Sequence, residues 1–130
     1  MYLGGRGGTG KSTVIKAVHV LHKELGIQHA LRLTAFTGTA ASAIDGSTIS
    51  SLAELRNSNS TSLKSLETKW ENVDTLIADE TSMIGCRTLK KLNQNLNVAR
   101  HSISTDTFGG LDTVVFAGKS YILTNKCGIM

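Results

Sequence analysis

The sequence predicts an α/β fold, a single domain whose parallel sheet is flanked by helices, from three observations. A glycine-rich stretch, Gly4–Gly10, leads directly into an apolar helical pattern. An apolar run of β-forming residues, Val73–Ala78, ends in Asp79 and Glu80, as a buried parallel strand does when its tip enters a site. Strand and helix patterns alternate along the chain, which implies right-handed crossovers between parallel strands.

Length and composition bound this prediction. The 130 residues, 40% of them hydrophobic, suffice for one core. The net charge of +4 permits contact with nucleic acid without requiring it. No apolar run approaches the ~20 residues of a membrane span, and we expect no targeting signal in the chain. We therefore expect an intracellular protein with no membrane partner, and we expect Cys86 and Cys127 to be free thiols.

The first motif matches the phosphate-binding loop pattern GxxxxGK[ST]. Glycines let the backbone N–H groups wrap round a polyphosphate in dihedrals that side chains resist. Lys11 is predicted to reach the β- and γ-phosphates as a catalytic cation, and Ser12 to ligate magnesium. The residues predicted to bind the nucleotide are Gly5, Gly7, Gly8, Thr9, Gly10, Lys11, Ser12 and Thr13.

The first helix is predicted over Lys11–Leu25, with Gly26 as its C-terminal capping glycine. A loop that feeds a helix is what the motif requires, so this context favours nucleotide binding over a merely flexible glycine-rich terminus. The second strand is predicted over Ile27–Phe36. The apolar stripe of the first helix is Val14, Val18, Leu21 and Leu25.

The middle of the chain is rich in small and polar residues. Thr37–Leu55 is predicted to hold a short helix to Ile44, a turn, and a second short helix from Thr48. Residues 56–70 have little periodicity and are interpreted as a polar connecting loop, an insertion or a short helix. A helix over Met83–Val98 and a last strand over 109–118 complete the prediction. The helix has Leu89, Leu92, Leu96 and Ala99 on one face and Lys90, Lys91 and Asn95 on another.

The two acids complete the predicted site. Nucleotide hydrolysis needs one carboxylate to hold magnesium and another to orient or deprotonate the attacking water. Asp79 is assigned to magnesium and Glu80, as the second catalytic residue, to the water. Alone, such a pair would more often cap a helix; the phosphate loop on the same predicted sheet favours the catalytic interpretation.

Four stretches in order resemble motifs of the Pif-one-like DNA helicases, superfamily-one enzymes with RecA-like domains. They are Gly8–Ser12 (motif I), Thr37–Ala41 with Ile44–Ser51 (motif Ia), Leu76–Met83 (motif II), and Ala99–Arg100 with Phe108–Gly118 (the approach to motif III). The resemblance covers nearly the whole chain. It implies that residues 1–130 are one RecA-like P-loop NTPase domain, which we expect to be truncated at both ends and to lack a second such domain.

The resemblance also implies an activity: 5′-to-3′ unwinding of DNA driven by ATP and Mg²⁺, in repair, recombination and telomere maintenance or in Helitron-type transposons. The implied partners are single-stranded DNA or DNA junctions, and the implied compartments are the nucleus or the mitochondrion. Small hydroxyl residues also fill turns and helix caps, which is the simpler interpretation of motif Ia without the resemblance. The DNA contacts implied by motif Ia are Thr37, Gly38, Thr48 and Ser51.

The chain departs from the family pattern at three positions. Ser50 replaces a histidine of motif Ia, and in motif III Lys119 replaces an aspartate and Ile122 the glutamine that senses the γ-phosphate. An arginine supplied by a second domain is commonly worth ~10³-fold or more in rate, so we expect weak or no unwinding by this chain alone. The alternatives are a non-hydrolysing nucleotide- or DNA-binding remnant and a small phosphotransferase that shares only the loop.

Overall fold

The computed structural model describes residues 1–53, 60–102 and 106–119. These residues form one sheet of five parallel strands in the order β1-β5-β4-β2-β3. The predicted parallel α/β fold is confirmed. Strand β5 lies between the strand that precedes the loop and the strand that ends in the acids. The strands are β1 (Tyr2–Gly4), β2 (Leu31–Ala35), β3 (Ser47–Thr48), β4 (Thr75–Asp79) and β5 (Thr113–Gly118).

Helices cover both faces of the sheet. Among the described residues, no helix combines the length and the apolar character needed to cross a membrane. Short 3-10 turns at Gln28–Ala30, Thr81–Met83 and Phe108–Gly110 join strands to helices. The helices are α1 (Lys11–Glu24), α2 (Gly38–Ala43), α3 (Ile49–Ala53), α4 (Ser60–Trp70) and α5 (Cys86–Ala99).

Successive strand residues point into two separate apolar cores. On β4, Leu76 belongs to the core that also contains residues of α3, α4 and α5, whereas Ile77 belongs to the core shared with α1 and α2. On β5, Val115 and Phe116 divide in the same way. This alternation follows from the two-residue period of a strand, and it buries the central strands on both faces, as a parallel sheet requires.

The buried face of α1 is not the predicted one. Ile15 is 1% exposed, whereas Val14, Leu21 and Leu25 are 50%, 55% and 62% exposed. Of the predicted stripe only Val18 packs against the core. The true and predicted stripes differ by one residue, which is about 100° around a helix. Apolar residues lie on both stripes, so their pattern alone could not choose between them.

Several predicted boundaries move where a short turn replaces the end of an element. The second strand begins at Leu31 rather than Ile27, after a 3-10 turn. The long helix begins at Cys86, because Met83 belongs to the turn after β4. The last strand begins at Thr113, since Gly109 and the glycine after it have φ of 65° and 66° and cannot continue a strand.

Helix α4 occupies most of the stretch interpreted as a polar connection or short helix. Leu66 and Trp70 are 3% and 1% exposed, and their four-residue spacing places both on one helix face. The short-helix alternative is therefore confirmed for residues 60–70 and the connecting loop is wrong there, because two apolar side chains anchor this polar helix to the core. Residues 56–59 lie outside the described residues.

Two smaller predictions about α5 are also wrong. Asn95, placed on the polar face, is only 2% exposed. Cys86, expected to be a free thiol, is disulfide-bonded; Cys127 lies outside the described residues. Cysteine pairing depends on the geometry of the fold rather than on spacing in the sequence. The predicted apolar face is confirmed, since Leu92 and Leu96 are fully buried.

Gly46 lets β3 lie close to β2. A Cβ at this position would lie 2.6 Å from the carbonyl oxygen of Leu33, which is backbone and cannot move aside alone. We predict that Gly46→Ala lowers the free energy of unfolding by about 1–3 kcal/mol, measured by urea denaturation. Gly38→Ala is the matched control, because no atom lies within 4 Å of its added carbon. Equal stability of the two variants would contradict the prediction.

Candidate nucleotide-binding site

The loop between β1 and α1 is closed by its own hydrogen bonds and left-handed glycines. Gly8 and Gly10 have φ of 77° and 85°, a region that L side chains rarely adopt. Thr9 Oγ1 donates a hydrogen bond of 2.8 Å to the carbonyl oxygen of Arg6. A Cβ on Gly5 would lie 2.7 Å from Thr9 Oγ1. Glycine is therefore required at several positions for the chain to make so tight a loop ahead of a helix.

Lys11 fills the middle of this loop. Its Nζ donates hydrogen bonds of 2.8 Å to the carbonyl oxygens of Gly5 and Arg6, and lies 3.5 Å from Thr9 Oγ1. The ammonium group is thus held inside the loop, within reach of any anion that the loop would enclose.

Ser12 and Asp79 meet across the sheet although they are far apart in the sequence. Ser12 Oγ donates a hydrogen bond of 3.1 Å to Asp79 Oδ2. The Asp79 carboxylate is held in place, because the residue is only 6% exposed and its Oδ1 accepts a 2.8 Å hydrogen bond from the Glu80 N–H. A hydroxyl and a carboxylate oxygen beside an open cleft are the hard ligands that Mg²⁺ takes together with phosphate oxygens and water. These residues therefore fit a magnesium site.

Glu80 is held in place by its backbone and by Thr37. It has φ 55° and ψ 35°, a left-handed conformation that is uncommon for a side chain with a Cβ and that turns the chain sharply after β4. Thr37 Oγ1 donates a 3.1 Å hydrogen bond to Glu80 Oε2 and accepts one of 3.2 Å from the N–H of Ala40. Thr37, predicted from the family as a DNA contact, thus also caps α2 and anchors the predicted catalytic glutamate.

The tip of β5 lies directly between the loop and the acids. The Gly5 N–H donates a hydrogen bond of 3.3 Å to the carbonyl oxygen of Gly118. On the other side, Thr81 Oγ1 donates one of 2.9 Å to the carbonyl oxygen of Ala117. A Cβ on Gly118 would lie 2.9 Å from Thr81 Oγ1, so glycine at this tip allows the two neighbouring motifs to approach each other.

These groups border one open cleft of about 710 Å³. It brings together most of the predicted nucleotide-binding residues, Thr37 and both acids. Ala43 and Ser82 also line it and were not predicted as site residues: Ala43 ends α2, and Ser82 lies in the 3-10 turn after β4. Ile122 lies outside the described residues. The lining residues are Gly7, Gly8, Thr9, Gly10, Lys11, Ser12, Thr13, Thr37, Thr39, Ala40, Ala43, Asp79, Glu80, Ser82, Met83, Gly118 and Lys119.

The other residues predicted to bind DNA do not line this cleft. Gly38 begins α2. Thr48 and Ser51 bond to each other at the start of α3: the Ser51 N–H donates to Thr48 Oγ1 at 3.3 Å, and Ser51 Oγ donates to the Thr48 carbonyl oxygen at 2.7 Å. These bonds are those of a helix cap. DNA binding by the three residues stays a prediction.

The sheet order, the glycine loop and the paired acids define a RecA-like P-loop domain. The family model described as an AAA domain matches residues 1–108. The chain belongs to this family and, within it, to the Pif1-like helicases, the family that its four motifs resemble.

Curated relatives and solved structures agree with this assignment. The chain is 32% identical to the ATP-dependent DNA helicases RRM3 and PIF1 of Saccharomyces cerevisiae, over 85% and 92% of its length. It is 28% identical over 88% of its length to the ATP-dependent DNA helicase PIF3 of Trypanosoma brucei brucei. The chain spans only 16%, 15% and 14% of these three relatives.

The solved structures likewise match most of this chain and only part of their own length. The crystal structure of the Pif1 helicase from Candida albicans is similar with a TM-score of 0.70 and 28% identity, over 90% of this chain and 28% of that one. Bacteroides Pif1 bound to ssDNA gives a TM-score of 0.70 and 25% identity, over 92% and 28%. A complex of Bacteroides sp. Pif1 with ADP-AlF4 gives a TM-score of 0.65 and 25% identity, over 96% and 30%.

Proposed function

We propose that this chain is the first RecA-like domain of an ATP-dependent DNA helicase and that it binds magnesium-ATP in the cleft between the loop and β4. The observation that carries the proposal is the 3.1 Å contact between Ser12 Oγ and Asp79 Oδ2. It joins the phosphate loop to the acid-bearing strand across β5. The cleft of about 710 Å³ lies within the range of about 300–1,000 Å³ usual for small-molecule sites.

The loop and Lys11 bind the polyphosphate in this proposal. The backbone N–H groups and the N-terminus of α1 favour an anion, and phosphate oxygens replace the carbonyl oxygens of Gly5 and Arg6 as partners of the ammonium group. Ser12 and Asp79 would hold Mg²⁺, which when bound supplies positive charge to the phosphate oxygens.

Glu80 orients the attacking water and accepts its proton, as a general base does. Its carboxylate is half-buried and one of its oxygens is held by Thr37. The left-handed backbone of Glu80 turns it away from Asp79, so the two neighbouring acids separate the roles of metal ligand and base.

DNA is the proposed partner that this ATPase acts on. Support comes from the relatives named as ATP-dependent DNA helicases and from the similar Pif1 structure bound to ssDNA. Gly38, Thr48 and Ser51 are the proposed contacts, together with Thr37, which also lines the cleft. We propose single-stranded DNA or junctions as substrates and 5′-to-3′ movement that needs a second RecA-like domain. Repair, recombination and telomere maintenance in the nucleus or mitochondrion, or Helitron-type transposition, are the proposed settings.

Single-turnover hydrolysis tests the proposal. The purified chain is mixed with labelled ATP, Mg²⁺ and an excess of a single-stranded oligonucleotide, and phosphate release is followed. We expect DNA to accelerate release. A chain that binds ATP without hydrolysing it, with or without DNA, would instead favour the second candidate, a non-hydrolysing nucleotide- or DNA-binding remnant. That candidate is favoured by Lys119, a cation at the cleft where the family has an acid.

Thr37 allows a test of how Glu80 is positioned. We predict that Thr37→Val, which keeps the shape but removes the hydroxyl, slows single-turnover hydrolysis roughly tenfold or more, because a hydrogen bond to a charged group is worth about 1.5–3 kcal/mol. ATP binding should be unchanged. Thr37→Ser should restore the rate, since its hydroxyl can still donate.

The matched control for this variant is Thr68→Val. Thr68 Oγ1 donates to the carbonyl oxygen of Lys64 on the exposed side of α4, far from the cleft. Thr68→Val loses one hydroxyl bond. Thr37→Val loses the bond to Glu80 and also the α2 cap from the Ala40 N–H, and Thr37→Ser keeps both. Equal rates in the two variants would show that Thr37 does not position the glutamate.

A further inference from the structure

Lys119 follows the tip of β5 and belongs to the wall of the nucleotide cleft. Its Cε lies 3.8 Å from the position that a Cβ on Gly7 would take. The stem of the side chain therefore extends along the phosphate loop. Among residues 1–53, 60–102 and 106–119, the ion pairs closer than 4.0 Å are His19–Asp45 and His101–Glu67. Lys119 is thus directed to the loop and is not paired with Asp79 or Glu80.

Hydrogen bonds from β1 and from the loop after it hold the backbone of Lys119 in place. The Tyr2 hydroxyl donates a 2.9 Å hydrogen bond to the carbonyl oxygen of Lys119, and the Gly5 N–H donates one of 3.3 Å to the carbonyl oxygen of the preceding Gly118. Both bonds come from the strand and loop that hold the phosphate site. The side chain is exposed and lines the cleft, so its ammonium group lies within reach of a ligand there.

The position of β5 decides which phosphate this cation meets. In the proposed function, Glu80 orients the water that attacks the terminal phosphate of a bound triphosphate. This phosphate must therefore lie near Glu80 and near Ser12 and Asp79, the two proposed magnesium ligands. Strand β5 lies between β1 and β4, so a residue at its tip stands between the loop and these acids. The inner phosphates are enclosed by the backbone N–H groups of the loop itself.

We propose that Lys119 binds the terminal phosphate of a nucleoside triphosphate and makes the cleft select triphosphate over diphosphate. The proposal rests on the proposed function of the same cleft. A lysine binds phosphate as a point charge, and here it stands where the family has an aspartate. The terminal phosphate is therefore bound by the cation that follows β5, in addition to the cation inside the loop. The diphosphate lacks that phosphate and does not use Lys119.

The test compares two ligands in two proteins by isothermal titration. Wild type and Lys119→Met are titrated with magnesium and a non-hydrolysable ATP analogue, and separately with magnesium and ADP. We expect the variant to lose roughly tenfold or more in affinity for the analogue, the effect of one charged hydrogen bond, and less than about twofold for ADP. Lys119→Arg, which retains the charge, should bind the analogue like wild type.

The control is Lys91→Met, which removes one exposed lysine from α5. Helix α5 packs on the face of the sheet opposite to α1, so this variant should change neither affinity. An equal loss for both ligands, or no loss for the analogue, would overturn the assignment of Lys119. Failure of the wild-type chain to bind either ligand would overturn the proposed function, and with it this inference. The two failures are therefore distinguishable in one experiment.

Discussion

Lys11→Ala should weaken the binding of magnesium-ATP by roughly two orders of magnitude. The ammonium group makes two 2.8 Å hydrogen bonds inside the loop, and in the proposed complex it exchanges them for phosphate oxygens. Each hydrogen bond to a charged group is worth about 1.5–3 kcal/mol, so losing two of them leaves the loop N–H groups and Ser12 to hold the nucleotide. The measurement is isothermal titration of the wild type and the variant.

Lys16→Ala is the matched control for this substitution. Lys16 is exposed on α1, about one turn beyond Lys11, so its removal changes the net charge equally without touching the loop. We expect its affinity to stay within a factor of about two of wild type, because exposed charges contribute little at physiological salt. If both variants bind ATP like wild type, the loop is not the phosphate site.

Glu80→Gln should abolish most of the hydrolysis while ATP binding is retained. Glutamine keeps the length of the side chain, and its amide oxygen can still accept the bond from Thr37. The amide cannot accept a proton from water, and general base catalysis contributes about 10²- to 10⁴-fold. We therefore expect single-turnover phosphate release to fall by about that factor, with the affinity for ATP unchanged within about twofold.

Glu71→Gln controls for the loss of a negative charge. Glu71 is exposed, just beyond α4, and its substitution should leave the rate unchanged. A Glu80→Gln variant that hydrolyses ATP at the wild-type rate would show that another group activates the water. A variant that neither binds nor hydrolyses ATP would show that Glu80 serves binding rather than the chemical step.

Local patterns predicted the parts of the site well. The glycine loop, the helix after it and the strand that ends in Asp79 each depend on residues adjacent in the sequence. The 3.1 Å contact between Ser12 and Asp79 could not be measured from the sequence, because it depends on β5, more than thirty residues further on, lying between β1 and β4. The bond between Thr37 and Glu80 was also hidden, because it requires β2 and β4 to be neighbours in the sheet.

The errors in the predicted fold also have physical causes. Helix α1 carries apolar residues on neighbouring stripes, and only packing against the sheet selects Ile15 as the buried one. Helix α4 has a polar composition, so Leu66 and Trp70 gave too weak a pattern to reveal their burial. The bend of Phe108–Gly110 delays β5 because three successive residues have positive φ, a feature that only the two glycines hinted at.

The cleft between the loop and β4 is the nucleotide site only if magnesium-ATP binds there. Backbone amide chemical shifts of the wild-type chain, recorded during a titration with magnesium and a non-hydrolysable ATP analogue, test this. We predict that the largest changes fall on Gly7–Thr13 and on Asp79–Glu80, and that they are smaller when magnesium is omitted. Absence of binding, or changes confined to the separate groove lined by His19 and Asp45, would contradict the assignment of the cleft as the nucleotide site.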